Sequence, residues 1–315
     1  MLTNLPTPLE PANRLAAALG LASGRLWLKR EDLTGLATGG NKARKLELLV
    51  ADAVATGSDT LVTAGGLQSN HARLTAAAAA RMGLGCVLVF NADPPLDAER
   101  HQGNQLLDDL FGADRRFLGP MGMADLNAAV ERVADDLRSA GRRPYPIPLG
   151  GSNPLGASAY ARAADETVAQ LGHDDVLVVT ASASGGTQAG LAARLGHERV
   201  IGVDVGALGD LAAIVRELTL KVAQLGEVPA PKGEPRLVQD QVGDGYGAPT
   251  STCREAIQLA ARTEGVLLDP VYSGKAFAGL IGLLTTDLRQ KAVVFLVMGG
   301  VPALFVDRYR DWLAA

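Results

Sequence analysis

Val176-Leu177-Val178-Val179-Thr180, an apolar β-branched run, leads into Ser182-Ala183-Ser184-Gly185-Gly186-Thr187-Gln188. An Ala- and Leu-rich stretch with helical spacing follows from Thr187 to Leu195, and a second strand-like run from Val200 to Val205. Strand, glycine loop, helix and strand in that order predict parallel strands joined by a covering helix. The alternation recurs outward. Candidate strands are Thr60 to Ala64, Cys86 to Phe90, Arg116 to Leu118, Tyr145 to Pro148 and Ala292 to Val297. Helical spacing runs from Arg73 to Met82 and from Ala124 to Ala140. The chain therefore reads as an α/β protein with parallel sheets covered by helices on both faces. Ligands in such sheets bind beyond the carboxyl ends of the strands. The loops there, Gly65 to His71, Gly150 to Asn153, Ser182 to Thr187 and Gly299 to Pro302, are the candidate site.

Composition narrows the class. At 315 residues the chain can bury a large core, and 47% hydrophobic with only 4% aromatic residues suits Ala- and Leu-rich helices over Val strands. A formal charge of −4 with scattered cations lacks the basic footprint nucleic acid needs. No apolar stretch is long enough to span a bilayer, and the start, Met1-Leu2-Thr3-Asn4-Leu5-Pro6, has no basic, apolar leader pattern. Neither a nucleic-acid nor a membrane partner is expected. Cys86 and Cys253 have no neighbouring Cys at metal-ligand spacing, so the expectation is reduced thiols, no metal and a cytoplasmic protein. Gly226 to Pro235, with three prolines, reads as an exposed loop, whereas the Gly pair near Gly150 is the more plausible domain boundary.

In the Ser182 to Gln188 loop, hydroxyls and free amides at a helix start make a phosphate cradle. A dinucleotide reading competes, since Gly185, Gly186 and Gly190 precede a strand ending near Asp204, where an acid could bond a ribose. The spacing is G-G-x-x-x-G instead of G-x-G-x-x-G, which favours a terminal phosphate monoester. A plain helix cap is a third reading.

Lys42 sits in Gly39-Gly40-Asn41-Lys42-Ala43-Arg44-Lys45-Leu46-Glu47, after a flexible Gly pair and at a helix start. An amine so placed can meet a phosphorylated carbonyl compound and form a Schiff base. The plainer alternative makes Lys42, Arg44 and Lys45 a solvated basic face, although cations are unfavourable at that end of a helix. Gly65-Gly66-Leu67-Gln68-Ser69-Asn70-His71 converges amides and a hydroxyl suited to a carboxylate, or is a βα turn capped by Ser69 or Asn70.

Seven runs occur in order from Gly39 to Phe305: G-G-N-K-A-R-K-L-E, G-G-L-Q-S-N-H, G-G-S-N-P-L-G-A, S-G-G-T-Q-A-G, Y-G-A-P-T, D-P-V-Y-S-G-K-A and G-G-V-P-A-L-F. Together they resemble the family of D-cysteine desulfhydrase and 1-aminocyclopropane-1-carboxylate (ACC) deaminase, pyridoxal-phosphate enzymes of the tryptophan-synthase-β fold. The resemblance implies two open, mainly parallel twisted sheets flanked by helices, with a small domain at residues 45–160 and a large cofactor-binding domain at 1–44 and 161–315. It implies a homodimer and a small amino-acid substrate. Lys42 would be the Schiff-base lysine, and Lys45 with Ser184, Gly185, Gly186 and Thr187 would hold the cofactor phosphate. Asn70 would bond the phenolic oxygen, and Ser69, with Asn70 and His71, would face the substrate. Tyr246 and Tyr272 would flank the reacting carbon.

Within this family the ACC deaminases place Glu after the second tyrosine, near the pyridine nitrogen, where this chain has Ser273. The absence of that carboxylate points to β-elimination from D-cysteine instead of cyclopropane opening, and Gly150-Gly151-Ser152-Asn153 resembles the desulfhydrase branch. Desulfhydrases carry Thr before the C-terminal Gly pair, where its hydroxyl meets the pyridine nitrogen. Here the run is Met298-Gly299-Gly300, and a thioether is a poor partner. The expectation is that Ser273 takes that place. Otherwise the substrate differs, with L-cysteate, D-serine or β-chloroalanine as alternatives. A nicotinamide-dependent oxidoreductase is the reading from another class, and it leaves Lys42 unexplained.

Overall fold

The computed structural model describes residues 1–95, 101–284 and 291–315. Ten strands are present among the described residues: β1 Leu9–Pro11, β2 Leu26–Lys29, β3 Thr60–Gly65, β4 Gly85–Phe90, β5 Asp114–Phe117, β6 Pro144–Pro146, β7 Val176–Ser182, β8 Val200–Asp204, β9 Arg236–Val238 and β10 Ala292–Leu296. They form a six-stranded sheet in the order β1-β2-β10-β7-β8-β9 and a four-stranded sheet in the order β5-β4-β3-β6. Among the described residues only the β1–β2 pair is antiparallel. Central strands are buried on both faces, as parallel sheets under helices must be; every residue of β3 and β7 is buried.

The four-stranded sheet is drawn from the middle of the chain, and the six-stranded sheet from both ends. The limits expected at 44/45 and 160/161 fall inside two unbroken helices, Lys42–Ala55 and Pro154–Leu171. The two sheets are therefore bridged by helices and not by linkers. The bridge is apolar. Along the first helix, Ala43, Leu46, Leu49, Val50 and Ala53 form a buried stripe at helical spacing. Burying each of those leucines contributes roughly 1.5–3 kcal/mol over leaving it exposed.

The strands β1, β2 and β9 had no sequence signal. Among them β2 ends on Lys29, which is buried because its Nζ donates to Glu166 Oε1 at 2.5 Å and to the Thr7 carbonyl at 2.8 Å. Residues 226–235 lie in the loop before β9, as expected. Cys86 and Cys253 are both buried free thiols. No helix among the described residues is long and apolar enough to cross a membrane.

Candidate active site

The carboxyl ends of β3, β7 and β10 and the starts of the helices Lys42–Ala55, Asn70–Met82 and Gly186–Leu195 meet at one cavity. It encloses about 780 Å³ with its open mouth, a size ordinary for small-molecule sites. The first amides of each helix have no intrahelical acceptor, so three sets of donors and three positive dipole ends face the same space. Lys42, Ser69, Asn70, His71, Ser184 to Thr187, Tyr246 and Tyr272 all line it.

The alternative of a solvated basic face fails on burial. Arg44 and Lys45 are 3% and 0% exposed. Arg44 pairs with Glu31 (Nε to Oε2, 2.6 Å) and Glu166 (Nη2 to Oε1, 2.8 Å), and Lys29 shares Glu166. Burial alone would raise the Glu166 pKa, but the two cations hold it down at about 2. Such a network adds little net stability. It does fix position, because Tyr160 donates to both Glu31 Oε2 (2.8 Å) and the Asn41 carbonyl (3.1 Å), the residue before Lys42.

Lys42 is half-buried, and its Nζ donates to Asn41 Oδ1 at 3.2 Å. Burial lowers its pKa to about 8, while the nearby Asp269 carboxylate resists the shift. The amine is thus neutral in a useful fraction near neutral pH.

Lys45 lies just behind the wall, its Nζ donating to the Gly150 carbonyl (3.1 Å) and to Ser152 Oγ (3.0 Å). Ser152 Oγ is in turn 2.8 Å from Ser184 Oγ. Two glycines are required here. A β-carbon on Gly186 would sit 2.6 Å from Lys45 Nζ, and one on Gly150, at φ +63°, would overlap the Ser184 hydroxyl. Asn41 Nδ2 donates to Thr187 Oγ1 at 3.1 Å, leaving the threonine proton to point elsewhere. Bare amides, hydroxyls and the Lys45 amine, whose pKa burial and then Lys42 push well down, make an anion cradle around glycine. Asp204, the residue a dinucleotide would need, instead accepts the Gly206 amide at 2.8 Å and does not line the cavity.

On the opposite wall Ser69 caps its helix, its Oγ accepting the Ala72 amide at 3.2 Å. Capping and ligand binding are compatible, since the hydroxyl proton is still free to donate. Asn70 Oδ1 accepts from Asn104 Nδ2 at 2.9 Å, so its own Nδ2 is the group beside Gly300. His71 has a determined tautomer. Thr63 Oγ1 donates to the Ile147 carbonyl (2.9 Å), so it accepts from His71 Nε2–H (2.9 Å), and Nδ1 is a bare, unpartnered acceptor. Burial first, then Lys42 and Lys45, push the imidazole pKa well down, so the ring is neutral.

Tyr246 and Tyr272 share a short hydroxyl–hydroxyl hydrogen bond, with ring centroids 6.0 Å apart. Burial raises both phenols, Tyr246 to about 12 and Tyr272 well above its ordinary value. Asp269, not anticipated as a site residue, holds the second tyrosine in place. Its Oδ2 accepts the amides of Val271 (2.9 Å) and Tyr272 (2.8 Å), and its Oδ1 that of Ser273 (2.7 Å). Ser273 differs from expectation. It is fully buried, is not on the cavity wall, and its Oγ accepts the Met298 amide at 3.3 Å. The hydroxyl expected to reach a ring nitrogen ties two backbone segments together instead.

A sequence model of pyridoxal-phosphate-dependent enzymes matches residues 1–299. The chain belongs to that family. Among solved structures, an ACC deaminase homologue is 34% identical over 100% of this chain and 94% of its own, with a TM-score of 0.90. A pyridoxal 5'-phosphate-dependent aspartate racemase shares the fold alone, at 17% identity and a TM-score of 0.67 over 93% of this chain and 90% of that one. The family's cofactor is pyridoxal 5'-phosphate, and the donor set fits it: a glycine-lined anion cradle backed by the buried Lys45 amine, and the Lys42 amine, of lowered pKa, on the cavity wall. Asn104 was missed from sequence, and Ser152 was read only as part of its loop, because their partners Asn70, Ser184 and Lys45 lie 32 or more positions away. Asp269 was also missed, although its acceptance of amides two to four residues on is a local turn that the Asp-Pro pair could have signalled.

Proposed function

We propose that this enzyme eliminates the β-substituent of D-cysteine, or of a close β-substituted analogue, giving pyruvate, ammonia and sulfide. The observation that carries the reading is Ser273 standing where an ACC deaminase would place Glu. Among the described residues the one carboxylate on the cavity wall, Asp269, already accepts three backbone amides. A site without a free acid at the ring nitrogen suits a step that needs a modest electron sink, and loss of thiolate from Cβ is such a step.

Lys42 would hold the cofactor's aldehyde carbon, Lys45 and the Ser184 to Thr187 turn its phosphate, and Asn70 Nδ2 its phenolic oxygen. When bound, pyridoxal phosphate supplies delocalisation for the electron pair left on Cα. The protein's own groups do the rest. Ser69 O–H donates to the substrate carboxylate at the start of its helix, where the dipole favours negative charge. Displaced from the aldehyde carbon by the substrate's own amine, the Lys42 amine, whose pKa burial lowers to about 8, would take the Cα proton. The Tyr246–Tyr272 pair, held as phenols by burial, gives a proton to the departing sulfur. Water then completes release of pyruvate and ammonia.

Pyruvate and sulfide should be measured over a panel of D- and L-amino acids beside 2-oxobutyrate from ACC. Faster turnover of D-cysteine, or of a β-substituted analogue, supports the proposal, and faster release of 2-oxobutyrate overturns it.

A further inference from the structure

We propose that the Ser182 hydroxyl is the group that hydrogen-bonds the ring nitrogen of pyridoxal phosphate in this chain, replacing the hydroxyl absent at Met298. Ser182 ends β7 and is 2% exposed. Its carbonyl accepts the Val205 amide at 3.2 Å, and Ser182 is among the residues that line the cavity, while its buried Oγ has no partner among the described residues. A buried hydroxyl without a partner is costly and points to a ligand atom.

Strand register brings Ser182 to the right place. The β7–β10 ladder ends with Val179 opposite Phe295, and continuing that register three residues past the last pair would set Ser182 against Met298. The Met298 sulfur is turned back onto this strand, 3.4 Å from Thr180 Oγ1, and so the polar atom at this end of the strand pair is on residue 182. The other candidates are placed or engaged otherwise. Ser273 is fully buried away from the cavity wall, and Asp269 takes three amides. His71 Nδ1 is also unpartnered on the cavity wall, but it is an acceptor and cannot pair with a nitrogen lone pair. Ser182 O–H is a donor. A neutral hydroxyl would bond the nitrogen without protonating it, which matches an elimination needing only a modest electron sink.

This inference rests on the cofactor and not on the choice of substrate, so it is tested on the resting holoenzyme. With ¹⁵N-labelled pyridoxal phosphate bound, the ring-nitrogen resonance should be that of an unprotonated, hydrogen-bonded pyridine. In Ser182→Ala it should move toward the unbonded value and cofactor dissociation should strengthen about fivefold, the effect of one neutral hydrogen bond. Ser182→Thr should keep the bonded shift, and Ser182→Ala with Met298→Thr should restore it. A protonated nitrogen in the wild type, or an unchanged shift in Ser182→Ala, would overturn the assignment whatever substrate the enzyme turns over.

Discussion

Asn104 Nδ2 donates to Asn70 Oδ1 at 2.9 Å and thereby decides which end of the Asn70 amide meets the cavity. Asn104 is itself oriented, since its Oδ1 accepts Arg73 Nε (3.2 Å) and its Nδ2 also donates to the Gln68 carbonyl (2.8 Å). Arg73 further donates to the Gly39 carbonyl at 3.1 Å, in the turn before Lys42. Asn104→Asp keeps the Arg73 contact and places an acceptor against Asn70 Oδ1, so the Asn70 amide should flip. The expected result is a folded protein that retains pyridoxal phosphate less well by about fivefold, the worth of one neutral bond. Unchanged cofactor affinity by equilibrium dialysis would show that the Asn104 bond does not set the orientation.

Lys42→Ala should fold but take up no covalent cofactor: borohydride treatment followed by mass spectrometry should find no added mass on the chain. Lys45→Ala should retain covalent attachment while losing cofactor faster. Attachment in the Lys42→Ala protein would mean another lysine carries it.

The lowered Lys42 pKa sets a direction in pH. Below about 8 the group is ammonium and cannot attack an aldehyde, so covalent loading of the apoprotein should speed up as pH rises, from about one tenth neutral amine at pH 7 to about nine tenths at pH 9. Stopped-flow absorbance of cofactor addition checks this, and a rate flat from pH 7 to 9 contradicts it.

Tyr272→Phe removes one member of the phenol pair and should lower turnover of the preferred substrate by about 10² to 10⁴, the usual cost of losing a positioned acid or base. Because burial holds both phenols up, the pH profile should show no alkaline loss from tyrosine ionisation below pH 10. Turnover by Tyr272→Phe within a few-fold of wild type would remove the pair from proton transfer.

Ser273→Ala should act on stability first. It strips the buried Met298 amide of its acceptor, for which about 1–3 kcal/mol is typical. Thermal unfolding should fall by several degrees, and an unshifted midpoint would show that the amide finds another partner.

The loops from Gly39 to Glu47, Gly65 to His71 and Ser182 to Gln188 were legible without a structure. A strand followed by a glycine turn and a helix start is written in consecutive residues, because backbone freedom, capping and the helix dipole act over one turn. The parallel α/β class followed from the same local alternation. The short strands β1, β2 and β9 were not legible. Lys29 looks like a surface residue until Glu166, 137 positions away, neutralises it. The partners of hydroxyls were equally hidden: Ser273 and Ser182 are both serines beside glycine-rich turns, yet one lies off the cavity wall with its Oγ accepting the Met298 amide, and the other lines the cavity with an Oγ that has no partner among the described residues. Hydrogen bonding is short-ranged and directional, so its outcome depends on which strands lie side by side, and the pairing of β7 with β10 joins residues more than a hundred positions apart. Residue types and their order determined the chemistry available to this chain, and only the tertiary packing decided which of those groups remained free to use it.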